Sequence, residues 1–435
     1  MRYLALLLLL PLLVVGQALD VQEHMLKNGM RVLLVEDHTV PSVCFFAYYR
    51  VGSRNEKLGY TGLSHLFEHM MFNGSKKYKP GEIDQILEAG GGYSNASTWN
   101  DLTNYWEEFN PDLLDKVLDI EADRMRALKL DSENLEQERG IVKEERRVSM
   151  DNNVQSRMVE ELYANAFVAH PYQNQVIGWM GDLDNISLQD AKMYYATYYA
   201  PNNCTVVLTG DFDSKQALKR IKKHFESLPV QKPPREPNNP EPEQQGEKRV
   251  RFHKAAELPA VMIAFKSVSA SDSNYVVGDV LSQILSRGES SRLYRRLIYE
   301  KQMCTEASAA QDEYLDPGLF TFYAQMKEGF TTEQAEKEIY DMLASIAQEG
   351  VRLEELQKAK NNAQADYARR FKTNQGIGFI LGYYQTIKGG WQKALTAAQA
   401  YDEVTNERIK AFAARIFDER KRTVVTLIPE TTETN

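Results

Sequence analysis

"GLSHLFEHMMFNG", residues 62–74, carries two of the chain's seven histidines four positions apart, with a glutamate directly before the second. Leu63, Leu66, Phe67, Met70 and Met71 recur at helical spacing, and Gly62 and Gly74 punctuate the ends, so the stretch reads as a helix. His65 and His69 are then i and i+4, one above the other on one face. That spacing lets two imidazoles reach one metal ion. Glu68, three positions after His65, lies beside the same face, where a carboxylate can hold a water at the metal without being a ligand. The bland alternative is a helix with two solvated histidines. Two histidines do not complete a zinc site in any case, because catalytic zinc usually takes three protein ligands plus water.

The chain has 435 residues, 43% hydrophobic and 26% charged, a globular composition with length for two or three domains. Its formal net charge is −9, and its short basic runs, "KRIKK" (219–223) and "KRVRFHK" (248–254), are scattered. They read as solvated faces of a helix and a strand, and nothing here points to a nucleic-acid binder. Residues 1–18, "MRYLALLLLLPLLVVGQA", read as a secretory signal: Arg2, an apolar stretch from Leu4 to Val15, then Gly16 and Ala18 at −3 and −1 of a cleavage site. An apolar run of about 12 residues is short for a bilayer, although retention as an anchor is the alternative. No later segment is long and apolar enough to span a membrane. The expected product is soluble and exported, to the periplasm of a Gram-negative bacterium. Cys44, Cys204 and Cys304 are far apart, and no Cys-x-x-Cys occurs. "SVCFFAY" and "NNCTVVL" look like buried strands, so Cys44 and Cys204 read as core thiols.

A Pro-, Glu- and Gln-rich stretch, residues 229–249, has no apolar periodicity and reads as a linker. It separates a domain at 19–228 from one at 250–435. The two halves begin alike, with "RVLLVED" and "SVCFFAYYRVGS" against "RVRFHK" and "AVMIAFKSVSA", each pair followed by a helix. They also end alike, with "CTVVLTGDFD" and "RTVVTLIP" after a helix. The expected fold class is α+β: two homologous α/β-sandwich-like domains related by internal duplication. No histidine follows His253, so a metal site belongs to the first copy alone.

A third ligand has to come from elsewhere. "DSENLEQERGIVKEERRVSMDN" (131–152) reads as one long helix capped by Asp131 or Ser132. Glu138 and Glu145 are two turns apart and share a face. A solvated charged face is the usual reading of such a helix, and spacing alone does not choose between Glu144 and Glu145.

H-x-x-E-H is the inverzincin signature, the reverse of H-E-x-x-H. With "ERGIVKEE" downstream, its closing Glu145 standing 76 positions after His69, the chain resembles the pitrilysin/insulinase family of zinc metallopeptidases. "YYRVGSRNEKLGYTGLSHLFEHMMFNGSKKY", "GGGYSNASTWNDLTNYW" and "YYAPNNCTVVLTGDFD" are similar to further parts of that family. The resemblance implies one zinc per chain on His65, His69 and Glu145, with Glu138 orienting a ligand. It implies Glu68 as the proton shuttle, and Asn95 and Ala96 on a strand that pairs with substrate backbone. The implied activity is zinc-dependent endopeptidase action on peptides or unfolded segments in a closed chamber between domains. A noncatalytic scaffold or binding subunit is the alternative. One departure stands out. The family's Arg/Tyr pair, seven residues apart in the second half, aligns here with Ile298 and Thr305 in "LIYEKQMCT". Half-length members work as dimers, so the resemblance implies a paralogous subunit supplying the pair, or a homodimer. A mitochondrial processing role is disfavoured by a leucine-rich leader that is not amphipathic.

Overall fold

The computed structural model describes residues 19–237 and 239–430, so the expected signal at 1–18 lies outside the described residues. The first sheet contains β1 (Gln22–Met25), β2 (Arg31–Glu36), β3 (Val43–Tyr49), β4 (Tyr93–Thr98), β5 (Thr103–Phe109) and β6 (Cys204–Gly210), ordered β1-β2-β6-β3-β5-β4. The second contains β7 (Lys248–Ala255), β8 (Ala260–Lys266), β9 (Cys304–Gln311), β10 (Leu319–Met326) and β11 (Arg422–Glu430), ordered β7-β11-β8-β10-β9. β2 runs parallel to β6, and β7 to β11; every other neighbouring pair is antiparallel. Leaving out β1, the two sheets share one order and one set of directions, as a duplicated unit requires. β4 and β9 are the matching free edges.

The first half adds α1 (Leu63–Met70), α2 (Glu82–Ala89), α3 (Leu114–Ala127), α4 (Ser132–Arg146), α5 (Val154–Ala166), α6 (Met180–Asn185), α7 (Leu188–Tyr198) and α8 (Ser214–Phe225). The second half adds α9 (Tyr275–Ser286), α10 (Thr332–Glu349), α11 (Leu353–Arg370), α12 (Asn374–Thr386), α13 (Lys393–Ala400) and α14 (Asn406–Ile416). None of the described helices is long and apolar enough to cross a membrane.

β3 is buried on both faces along its whole length. Successive side chains of a strand point to opposite sides. Val43, Phe45, Ala47 and Tyr49 therefore enter the core formed with α1, α3 and α8. Cys44, Phe46 and Tyr48 enter a second core, whose other wall is Ile377, Ile380 and Leu381 of α12. Gly378 and Gly382 lie directly against Phe46 and Tyr48, where a Cβ would come within 2.3 and 1.9 Å of the rings, so α12 can approach this closely only through glycine. The exchange is reciprocal. β8 sends Val261, Ile263 and Phe265 into its own half's core, while Ala260, Met262 and Ala264 meet Met158, Leu162 and Ala166 of α5. Each half lends one helix to the open face of the other half's sheet.

Two expected elements differ from the reading at 131–152 and 229–249. α4 ends at Arg146, and a wider π-type turn covers Arg147–Asp151. Ser149 Oγ donates to the Glu145 carbonyl at 2.7 Å, competing with the backbone ladder there. At its other end Asp131 caps α4, accepting from the Asn134 amide at 2.9 Å. The linker gives up Lys248 and Arg249 to β7, because both pair in parallel with β11. The rest is extended yet anchored. Glu241 accepts from the amides of Val168, Ala169 and His170 at 3.0 Å each, and Glu236 accepts from Arg54 at 3.0 Å. Cys44, Cys204 and Cys304 are all buried and unbridged.

One buried charge cluster underlies the first sheet. Arg124 of α3 contacts Glu107 of β5 at 2.8 Å and Glu121 at 2.7 Å, and all three side chains are nearly inaccessible. One guanidinium cannot balance two buried carboxylates. Burial, reinforced by Glu121, holds the Glu107 carboxyl well above the usual range, so it keeps a proton in the fold. The unfolded chain releases that proton near an ordinary glutamate pKa of about 4.3. Stability from this group is therefore complete below that pH and is lost as pH rises toward the raised folded value, by at most about 1.4 kcal/mol per pH unit. Glu107→Gln mimics the neutral form. In urea unfolding the variant is expected to lose less stability than the parent between pH 5 and pH 8; parallel curves would show that Glu107 is ionised in the fold.

Candidate metal centre

α1 buries Leu63, Leu66, Phe67 and Met70 in the core and leaves His65, Glu68 and His69 on its partly open face. Its start is held from outside the helix. The Glu56 carboxylate accepts from the amides of Gly62 at 2.9 Å and Ser64 at 2.6 Å, supplying the cap that Gly62 has no side chain to provide. Tyr194 Oη donates to Ser64 Oγ at 2.8 Å.

α4 packs on the open face of α1. Glu145 Oε2 stands 3.5 Å from His69 Nε2 and 3.8 Å from His65 Nε2, and the two rings meet edge-on with centroids 4.9 Å apart. Ligand atoms placed tetrahedrally about 2 Å from one zinc stand roughly 3.3 Å from one another. The three side chains thus present nitrogen, nitrogen and carboxylate oxygen at nearly that separation. They are the one group of three such side chains with this convergence among the described residues. The neighbouring Glu144 turns outward and pairs with Arg147 at 2.8 Å. Spacing left Glu144 and Glu145 open; the rotation of α4 separates them.

The second acid of α4 lies behind the histidines. Glu138 is buried, with Oε2 3.3 Å from His69 Nδ1 and Oε1 accepting from Asn73 Nδ2 at 2.7 Å. A carboxylate on Nδ1 fixes the ring so that Nε2 faces Glu145. His65 Nδ1 is buried and has no protein partner. Burial pulls His65 down to about 4 against the attraction of Glu145, so it is neutral and able to donate a lone pair. Burial also opposes protonation of His69, but its bonds to Glu138 and Glu145 outweigh this and push it up to about 9. Glu145 is held below the usual carboxylate range by its bond to His69. Glu138 is held low as well, because bonds from His69 and Asn73 overcome its burial. Burial raises Glu68, opposed by the nearby Thr98 at the end of β4 and by His69. Three carboxylates facing two imidazoles leave surplus negative charge, which suits a dication. The donor set fits zinc in number, type and spacing.

β4 borders this site as the outer strand of its sheet and packs against α1. Asn95 is exposed and Ala96 half-buried on it. The Asn95 side chain folds back to accept from the Ala96 amide at 2.8 Å, a bond that an incoming strand would replace. Ile298 and Thr305 lie in the other half. Ile298 packs against the second core, and Thr305 is exposed at the start of β9 with its hydroxyl on Gln325 Oε1 at 2.9 Å. Neither offers a cation or a phenol. Reading the sequence did not single out Glu56, Asn73 or Thr98. Their only advance signal is proximity to the histidine helix in chain order for the first two, and to Asn95 and Ala96 for the third.

The profile of the insulinase family, peptidase family M16, matches residues 31–179, and that of the peptidase M16 inactive domain matches residues 185–363. The zinc protease PqqE of Helicobacter pylori is 33% identical over 363 residues, 82% of each chain. A crystal structure of a protease from Helicobacter pylori superposes with a TM-score of 0.90 at 31% identity, covering 95% of this chain and 100% of that one. The periplasmic protease PqqL from Escherichia coli shares the fold at a TM-score of 0.78 and 18% identity. It is matched over 95% of this chain but only 48% of its own length.

Proposed function

The chain belongs to the insulinase family, peptidase family M16, and on that premise we propose that it is a zinc-dependent endopeptidase with its metal on His65, His69 and Glu145. The observation that carries this reading is the convergence of those three donors, with Glu68 beside them on the same helix. Bound there, zinc supplies a Lewis acid for a peptide carbonyl and makes water more acidic. Glu68 takes a proton from the attacking water and delivers it to the leaving amine. Glu138 keeps the His69 ring in its tautomer and orientation from Nδ1, and Asn73 holds Glu138 in turn. Asn95 and Ala96 hold the substrate extended along the β4 edge, by the main-chain pairing that an unpaired strand offers.

The substrates are peptides or unfolded segments, taken into a closed chamber between domains. The second half, which matches the inactive-domain profile, contributes no metal ligand and carries Ile298 and Thr305 where the family's Arg/Tyr pair stands. A paralogous subunit that carries the pair therefore completes the substrate clamp; a second copy of this chain would form a homodimer without supplying it. Export to the periplasm is supported by the leader-like residues 1–18 and by the periplasmic assignment of the fold neighbour PqqL. A noncatalytic role in the same family would not require the ligand trio and Glu68 together.

Metal analysis tests the ligand set. The parent is expected to hold about one zinc per chain. Glu145→Gln loses it in mild chelator, while Glu144→Gln keeps it; equal behaviour of the two variants would overturn the assignment. Glu68→Gln is expected to retain zinc and fold but to lose peptidase activity by at least about a hundredfold. Unchanged turnover in that metal-replete variant would sink the mechanism. The chain alone is expected to be roughly a hundredfold slower on an unstructured peptide than a mixture with a subunit that carries the Arg/Tyr pair. Full activity of a partner-free, zinc-loaded preparation would remove the need for a second kind of chain.

A further inference from the structure

The two helices that carry the ligand trio begin about 70 positions apart in the sequence, and no covalent link sets their distance or rotation. A catalytic site must be held within about 0.5 Å of its working geometry. Contact between α1 and α4 does not by itself fix the rotation of either about its axis. A third segment does touch both: residues 174–186, a loop running into α6.

Toward α1, Asp182 Oδ2 accepts from the Thr61 amide at 3.1 Å and the Thr61 hydroxyl at 2.7 Å. The Trp179 amide donates to Thr61 Oγ1 at 3.0 Å. Gly62 and Gly178 meet backbone to backbone. A Cβ on Gly178 would fall 2.3 Å from the Gly62 nitrogen, and one on Gly62 would fall 2.6 Å from the Ile177 carbonyl. Toward α4, Arg139 donates to the Leu183 carbonyl and, at 2.6 Å, to the Ile186 carbonyl. Lys143 Nζ reaches Asp184 at 2.6 Å. Arg146 donates to the Gly178 carbonyl and lies over the Trp179 ring at 5.1 Å. The segment is itself fixed, since Leu183 and Ile186 are buried in the first core.

The arrangement along α4 is regular. Glu138 and Glu145 form one row, facing α1. Arg139 and Arg146 each follow one of these acids by one residue, about 100° further around the helix, and face residues 174–186. Holding the arginine row therefore sets where the glutamate row points. Resting on the zinc reading above, we infer that residues 174–186 are the template that registers the two ligand helices, and that Arg139 is a positioning residue for Glu138 and Glu145. Arg139 suits this role because its planar fork presents donors in a fixed geometry to two carbonyls at the end of α6, where a lysine ammonium is a rotatable point donor. Those carbonyls have no partner within their own helix.

The test compares the parent with Arg139→Gln, Arg139→Lys and Asp182→Asn. Zinc affinity is read by chelator competition, and amide exchange of residues 60–66 is read in the metal-free proteins. Arg139→Gln is expected to keep its circular dichroism, to bind zinc at least tenfold more weakly, and to exchange faster at 60–66, although it lies on the other helix. Arg139→Lys is expected to recover part of both effects. Asp182→Asn, acting from the α1 side, shifts both in the same direction and serves if Arg139→Gln does not fold. Zinc affinity within twofold of the parent in Arg139→Gln, or in Asp182→Asn where only that variant folds, would overturn the inference, as would equal zinc affinities in Arg139→Gln and Arg139→Lys. A parent that binds no zinc would instead bring down the proposed function. The exchange measurement would then still decide whether the segment couples the helices, with unchanged rates at 60–66 overturning the template.

Discussion

Large side chains project from both faces of β3, and the helices of its own half cover only one of those faces. Phe46 and Tyr48 are buried because α12, from the far end of the chain, lies on the other. The second sheet has the same need and meets it with α5. Burying one such aromatic or aliphatic side chain contributes roughly 1.5–3 kcal/mol. Separating the halves would return several of them to water on each sheet. The half without the candidate ligands is thus a structural requirement of the half that carries them.

This exchange also places the edge strand beside the candidate metal centre. β3 is central and rigid, β5 pairs with it, and β4 pairs with β5 and is left free on its outer side. The β4–β5 turn is gripped by the other half. Asp101 accepts from the Leu315 amide at 2.9 Å and from Tyr172 Oη at 2.8 Å, and Arg54 bridges toward Asp101, to Asp316 and to Glu236 of the linker. The loop before the histidine helix, the turn beside β4, the linker and the β9–β10 loop therefore meet in one polar cluster around the buried Arg54 and Asp101. A linker that looks featureless in composition is tied down by Glu236 and Glu241 at two points along its path.

Several elements were legible because their cause lies within a few residues. The helix at 63–70 shows its period in Leu63, Leu66, Phe67 and Met70, and it brings His65 and His69 to one face by geometry alone. The alternating faces of β7 show in "KRVRFHK". The continuous apolar run of "SVCFFAY" marked a strand buried on both sides, without saying what would cover it. The duplicated order of strands showed because both copies keep similar opening and closing strands. The end of α4 was not legible, since a helical period continues past Arg146 while Ser149 diverts the carbonyl of Glu145. Nor did composition mark where the linker ends, because Lys248 and Arg249 are claimed for β7 by pairing with Thr423 and Val424.

The sequence by itself determined the local elements: the histidine helix, the acid-rich helix with Glu138 and Glu145 on one face, and a second copy of the unit with no histidine after His253. Spacing did not choose between Glu144 and Glu145, and the resemblance to the family did; the tertiary structure turns Glu145 toward the imidazoles, puts Glu138 behind His69, and alone decided that each half closes the other's sheet. Short-range periodicity records which side of a helix is apolar, because that pattern repeats every turn. Which neighbour each polar side chain of α4 meets depends instead on contacts such as Arg139 with Leu183, 44 positions away, and a contact made once across that distance leaves no period to read.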